Sequence, residues 1–294
     1  MLRGSVSMTP RHIMTSKIGT HASIELPSPD DPNYSTEEAR MALTRRVLGG
    51  WVYLGPIYHQ SVTAINLLCG NMAAPPPEDT RELQHLCLYM LHNHVAPVYC
   101  THGHVGVEPP ATMTDPYGPI KPYWYHHLSD AGCIGERSIT GGVAMLACGP
   151  IMTTTQRQHL KAGETHTWEV VAGGTNVNHA MSIVGLLQEL RIQRGVPVPF
   201  YFDSRSTMLV GNSDQSVKRS IWLQRRAAVI QEAQEQGYFK YSHLATHLLC
   251  ADAFTKYLPQ AVWEKHMCYV MNVVDWRAAA TVLQDAHKGK EKRA

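Results

Sequence analysis

The sequence contains no run of about 18 consecutive apolar residues, so it offers no membrane-spanning helix. It contains no C-x-x-C pair, and its cysteines (Cys69, Cys87, Cys100, Cys133, Cys148, Cys250 and Cys268) are odd in number. Free thiols in a reducing compartment are therefore expected rather than a disulfide framework. The opening residues, MLRGSVSMTPRH, lack the apolar centre of a secretory signal, which makes the cytosol or nucleus the default location. A strong excess of one charge is also missing: 26 Lys and Arg stand against 24 Asp and Glu, so net charge by itself does not announce a nucleic-acid partner. No internal repeat occurs. What is present is 294 residues with 44% hydrophobic content, which excludes a fully disordered chain and suffices for one large domain or two modest ones.

Composition changes along the chain mark four segments. Residues 1–34 are polar and end in PSPDDPNYS, the pattern of an irregular arm. Residues 35–120 read as mainly helical. Ser35-Thr36-Glu37-Glu38 places a hydroxyl and two acids where a helix N-terminus wants them. Gly49-Gly50 and Gly55-Pro56 are expected breaks in the apolar stretch that follows. Pro77, Glu78 and Asp79 open a second helix, along which Leu83, Leu86, Cys87, Met90 and Leu91 recur at three- and four-residue spacing. The segment 101–121 is rich in Pro and Gly and reads as a long loop at a domain boundary. Residues 121–260 form a third segment, and 261–294 a C-terminal helix with a disordered tail ending KGKEKRA.

Within 121–260 strands and helices alternate. Tyr123–Leu128, Ile139–Ala147 and 150–158 read as consecutive strands, the last begun by Pro150 as an edge would allow. A long helix is expected over 165–193, with Ala180, Ile183, Val184, Leu187 and Leu190 as its buried stripe. Val198–Phe202 is a short apolar strand, 216–236 a helix ended by Gly237, Tyr238–Leu244 a last strand and Ala251–Tyr257 a short helix. This β-β-β-α-β-α-β-α series is that of the ribonuclease H fold, an α/β architecture with a mixed five-stranded sheet flanked by helices. Acids fall at four telling places in it. Asp130 is expected at the end of the first strand, Glu169 in the first turns of the long helix, Asp203 at the end of the fourth strand and Asp252 at the start of the last short helix. Each alone reads more readily as a turn or cap residue. Together they sit where an α/β sheet builds its sites. Four carboxylates are what two hard cations about 4 Å apart need in order to activate water and steady a departing 3′ oxygen at phosphorus.

The residues around these acids resemble the copia-type retrotransposon polyprotein. Ser129-Asp130-Ala131-Gly132 followed by Arg137-Ser138-Ile139-Thr140-Gly141 resembles its S-D-A-D and R-x-S-T-S-G stretches. Gly149-Pro150-Ile151, Gln156 and Thr167-Trp168-Glu169 resemble G-P-I-S-W…K-Q…T-E-A-E. Phe202-Asp203-Ser204-Arg205-Ser206 resembles C-D-N-Q-S, with Asn212 also matching. Ala251 to Pro259 resembles A-D-I-F-T-K-P-L-P, the most specific match because it extends past the acid. Upstream, Val47 to Leu54, Asn66-Leu67-Leu68 and Leu86 to Met90 resemble the segment that follows the polymerase palm. The likeness spans roughly residues 40–260. It departs from the family at Pro56–Gln60, at Ile221-Trp222-Leu223 and at Ser204, where the family has T-R-P-D-I, K-H-I and Asn.

The resemblance implies a thumb or connection region followed by ribonuclease H. Asp130, Glu169, Asp203 and Asp252 would be catalytic metal ligands for two Mg2+ ions, with Mn2+ able to substitute. The substrate would be an RNA–DNA hybrid, the partner would be the reverse transcriptase palm and fingers from an upstream polyprotein segment, and the location would be a cytoplasmic virus-like particle or the nucleus. No Y-x-D-D occurs, so no polymerase active site is expected. A different class of function is a catalytically silent or domesticated hybrid-binding or assembly module. A third is a generic nuclease or integrase of the same fold, against which the A-D-A-F-T-K match argues.

Weaker signals remain. Arg226, with Lys218, Arg219 and Arg225, offers phosphate contacts, and Trp222 a stacking surface; the alternative is a solvated helix face with one core Trp. Ser206 and Lys256, inside matched segments, are further expected nucleic-acid contacts. His243 and His247 precede Asp252 and could assist proton transfer or product release, or be exposed loop histidines without a role. His92, His94, Cys100, His102 and His104 have zinc-type donors but match no finger spacing.

Overall fold

A computed structural model of the chain describes residues 36–93, 95–99, 114–115, 118–119, 125–134, 137–159, 164–192, 197–212 and 221–275. The expected arm, the C-terminal tail, Lys218, Arg219 and most of the histidine cluster lie outside these residues. The chain forms two compact units, one from residues up to Ala96 with Leu258–Glu264, the other from Pro97–Tyr257 with Lys265–Val274. Among the described residues no helix is long and apolar enough to cross a membrane.

The first unit is helical. Helix α1 (Glu37–Leu54) starts where the sequence indicates: Thr36 is extended, and its side chain accepts a hydrogen bond from the Ala39 N–H at 3.1 Å. Gly49-Gly50 does not break it. A Cβ at either glycine would meet nothing within 4 Å, and Leu48 beside them is buried, so packing overrides glycine's low helix propensity. The helix ends at Gly55. Helices α2 (Val62–Cys69) and α3 (Pro77–Asn93) follow it. Leu48, Ile65, Leu68, Leu83, Leu86 and Met90 form its core, so three of the stripe positions read from the sequence are buried.

The second unit is built on five strands: β1 (His126–Ile134), β2 (Arg137–Leu146), β3 (Gly149–Arg157), β4 (Val198–Phe202) and β5 (Phe239–His243). Their order is β3-β2-β1-β4-β5. The first three are antiparallel; β4 runs parallel to β1, and β5 parallel to β4. The β2–β3 hairpin closes through Ala147 and Cys148, both at positive φ (52° and 64°), the two-residue turn whose twist suits a hairpin. The long helix α4 (Thr165–Glu189) carries Val170, Val177, Ala180, Val184 and Leu187 into a core shared with Phe200 and Phe202 of β4 and with Leu223, Ala227 and Ile230 of α6 (Ile221–Glu235). The described residues also include a short helix, α5 (Arg205–Gly211), a 3-10 turn at Cys250–Phe254, a two-stranded pairing of Thr114–Asp115 with Gly118–Pro119, and the C-terminal α7 (Gln260–Met271), whose residues divide between the two units. This strand order, these directions and the helices on the sheet are the ribonuclease H fold.

Three expectations are corrected, and one element is added. β1 continues past Leu128 to Ile134, so Asp130 lies in mid-strand, because Ser129 to Gly132 pair without interruption with Ile139 to Gly142. α4 ends at Glu189, and Leu190 is exposed. Residues 205–211, to which the sequence reading gave no element, are helical, capped by the Ser204 hydroxyl at the Thr207 N–H, 3.2 Å. The element bearing Asp252 is a 3-10 turn rather than an α-helix.

Candidate active site

The topology gathers the acids. β1 and β4 are adjacent and parallel, with Ser129 opposite Phe202, so the next residues along, Asp130 and Asp203, stand side by side. Glu169 reaches the same end from the second turn of α4. Carboxylate oxygens of Asp130, Glu169 and Asp203 all lie within 4.8 Å of one another. Asp252 arrives on the 3-10 turn that follows β5. That turn sits close against the sheet because two positions have no side chain: a Cβ at Gly132 would collide with the Thr255 carbonyl, and one at Gly141, opposite Asp130, with the Thr255 methyl. Gly132 is thus the steric condition for docking the turn.

Neighbouring groups orient the acids. The Thr255 hydroxyl donates to Asp130 Oδ2, and the Thr246 hydroxyl donates to Asp203 Oδ2 at 3.0 Å. Lys256 Nζ lies 2.9 Å from Asp252 Oδ1 and 3.3 Å from Asp130 Oδ2. Gln158 fixes the start of α4: its amide donates to Thr140 Oγ1 (3.1 Å) and to the Trp168 carbonyl (3.0 Å), and its oxygen accepts from Ser138 Oγ at 2.6 Å. Gln156, the glutamine singled out in the sequence, is exposed.

The electrostatics are those of an acid cluster short of positive charge. Burial, then the Asp252 carboxylate, raise Asp130 well above the ordinary carboxylate range. Burial, then Asp130 and Asp203, push Glu169 up to about 9. Burial raises Asp252 despite the opposing Lys256. Lys256 is disfavoured as a cation by burial, but Asp130 and Asp252 outweigh this and raise its pKa.

The cluster fits a divalent cation. Asp130 Oδ1 is buried and has no hydrogen-bond partner among the described residues, an arrangement that costs free energy unless something else pairs with it. The donors are hard oxygens, the preferred ligands of Mg2+. Asp130, Glu169 and Asp203 would hold it.

The other residues named from the sequence fall into four places. His243 ends β5 opposite Phe202, and His247 lies on the turn Thr246–Leu248 beside the hydroxyl that holds Asp203. Ser206 accompanies Ser204 (2.9 Å) and His166 Nδ1 (3.0 Å) at the exposed rim. Trp222 and Arg226 stand together on α6, the guanidinium 5.8 Å from the ring centroid. Lys256 is not a free surface cation: it is paired inside the acid cluster. Thr255, Gln158 and His166 were not anticipated. The matched F-T-K segment pointed toward Thr255; nothing in the sequence separated Gln158 from Gln156.

No protein-family model matches the chain, and no curated protein matches it. Among solved structures, RNase H1 from the halophilic archaeon Halobacterium salinarum NRC-1 is similar over 45% of this chain and 93% of that one, at 15% identity and TM-score 0.34. LC11-RNase H1 in complex with an RNA/DNA hybrid is similar over 45% and 93%, at 14% identity and TM-score 0.35. The N-terminal RNase H domain of a Mycobacterium tuberculosis protein, solved as a fusion with maltose binding protein, is similar over 48% and 96%, at 12% identity and TM-score 0.35. The fold assignment rests on strand order and direction, not on these scores.

Proposed function

We propose that the chain is a ribonuclease H, a hydrolase that cuts the RNA strand of an RNA–DNA hybrid internally and leaves 3′-hydroxyl and 5′-phosphate ends. The observation that carries this is the convergence of Asp130, Glu169 and Asp203 within 4.8 Å, with Asp130 Oδ1 buried and unpaired. Two Mg2+ ions bound by these acids and Asp252 would supply Lewis acidity, lowering the pKa of water and offsetting charge at phosphorus. The protein's own share is positioning. Thr255 and Thr246 each tie down one carboxylate oxygen, so Asp130 and Asp203 keep their orientation. Glu169, held protonated at neutral pH by burial and its neighbours, would have to give up its proton to serve as a ligand, so metal uptake should release protons. Trp222 and Arg226 offer a stacking face and a phosphate contact for a hybrid recognised by shape rather than by sequence.

The likeness to copia-type sequences supports a place in reverse transcription. The helical unit would then be the thumb or connection, the partner a palm and fingers segment encoded upstream, and the location a cytoplasmic virus-like particle or the nucleus. A second reading, a silent hybrid-binding or assembly module, draws on Lys256, whose ammonium already neutralises part of the cluster. Purified protein and a strand-labelled RNA–DNA hybrid separate the two. Cleavage of the RNA strand in Mg2+ or Mn2+, but not in Ca2+ or chelator, is the expected result. Binding without cleavage in any metal leaves the silent module; equal cleavage in chelator removes the metal mechanism.

A further inference from the structure

The four acids are not equivalent. Asp130, Glu169 and Asp203 approach one another within 4.8 Å, and Asp252 is not in that group. The Lys256 ammonium touches both Asp252 and Asp130, 2.9 Å from Asp252 Oδ1 and 3.3 Å from Asp130 Oδ2. The lysine is brought there by its own turn. It follows Asp252 by four residues, its N–H bonds the Asp252 carbonyl at 3.1 Å, and the preceding Thr255 is anchored to Asp130. The side chain is about one-third exposed, so it has an open route to solvent. A lysine ammonium is a compact point charge on a flexible stem. Here it bridges two carboxylates, the task a divalent cation would otherwise perform between them. Asp130 Oδ1, by contrast, has no partner among the described residues and faces no such competitor.

We propose that Lys256 is an internal counter-cation occupying the position of one of the two divalent ions, so that the protein free of nucleic acid takes up a single divalent cation, at Asp130, Glu169 and Asp203. Lys256 must withdraw before Asp252 can share a second. It is a positioning residue: it sets which carboxylates are available and when. This rests on the metal-centre reading above.

The test counts Mn2+ ions bound per chain, by the electron paramagnetic resonance signal of the free ion, on the full chain without nucleic acid. Wild type should bind one. Lys256→Gln, which removes the charge, should bind two, a doubling. Lys256→Arg, which keeps the charge, should bind one. The metal-free Lys256→Gln protein should also melt below wild type and regain the difference in Mn2+, because its carboxylates have lost their only adjacent ammonium among the described residues. Should the glutamine variant fail to fold, the wild-type and arginine counts still decide. Two ions in wild type, or one in a folded Lys256→Gln, would overturn the role of the lysine while leaving the metal centre standing. No Mn2+ bound by any of the three proteins would overturn both.

Discussion

Ser129 and Asp130 are neighbours on the central strand, both buried, and they point to opposite faces of the sheet. On the Ser129 face the polar groups are neutral. The Asn176 amide of α4 donates to Ser129 Oγ and to the Gly141 carbonyl, both at 2.8 Å. The His127 ring stacks on Phe200 with centroids 4.8 Å apart, its Nδ1 is 3.2 Å from the Tyr125 hydroxyl, and burial lowers its pKa to about 3, which keeps it uncharged. Each face leaves buried side-chain atoms without a hydrogen-bond partner among the described residues, Asn176 Oδ1 and His127 Nε2 on the first and Asp130 Oδ1 on the second, but on the Asp130 face the groups are charged, four acids facing one lysine. The same strand thus carries a polar network that adds stability and, one residue away, a polar network that costs stability until a cation arrives. Buried polarity is therefore informative by its charge balance: the neutral face holds the fold, the unbalanced face marks the site.

The contrast can be broken at either face. The largest effect expected is on the acid face: Asp203→Asn should reduce Mg2+-dependent hybrid cleavage by about a thousandfold or more while leaving the fold intact by circular dichroism. A variant within tenfold of wild type would place the chemistry elsewhere. On the neutral face, Asn176→Ala leaves the Ser129 hydroxyl and Gly141 carbonyl buried without their donor, and should cost about 2–3 kcal/mol in urea unfolding. No loss of stability there would show that Asn176 is not what ties α4 to the sheet.

A pH comparison sharpens the same point. The Glu169 pKa is raised on folding, so its contribution favours the fold at low pH and is lost as pH rises toward about 9. In chelator, stability should fall by about 2 kcal/mol between pH 7 and pH 9, each tenfold change in proton affinity being worth about 1.4 kcal/mol. Over that range the buried histidines, whose pKa values are lowered, do not titrate. Glu169→Gln should flatten the slope, and Mg2+ should flatten it in wild type. A slope unchanged in the variant would assign the effect to another group. The smallest effect belongs to α6: Trp222→Ala should weaken hybrid binding by about 1 kcal/mol, roughly fivefold, without moving the melting temperature. A fall in melting temperature with affinity unchanged would make Trp222 a packing residue.

Much of this was legible in the sequence, for identifiable reasons. Val198–Phe202 is a purely apolar run between turn residues, and the strand has those bounds. The four acids were found because they stand beside strand ends and helix starts within matched segments. The sequence puts Asp130 at a strand end because the apolar run stops at Leu128; cross-strand pairing with Gly141 keeps it extended. Gly49-Gly50 misled in the opposite sense, since helix breaking depends on packing that two glycines do not disclose. Lys256 reads as a nucleic-acid contact until the fold sets Asp130 beside it, 126 positions earlier in the chain. Gln158 and Asn176 are neutral amides whose importance exists only in their partners.

The most direct test of the metal-dependent nuclease centre is Asp130→Asn, with its melting temperature taken in chelator and hybrid cleavage then measured in Mg2+ on the same sample. Replacing the Asp130 carboxyl, whose ionised form burial and the Asp252 carboxylate disfavour, by a neutral amide should raise the metal-free melting temperature by several degrees, as relief of about 1 kcal/mol or more would. Cleavage of the RNA strand should vanish. A variant that melts lower than wild type and still cuts the RNA strand at the wild-type rate would contradict both the unbalanced charge of this face and its role in the chemistry.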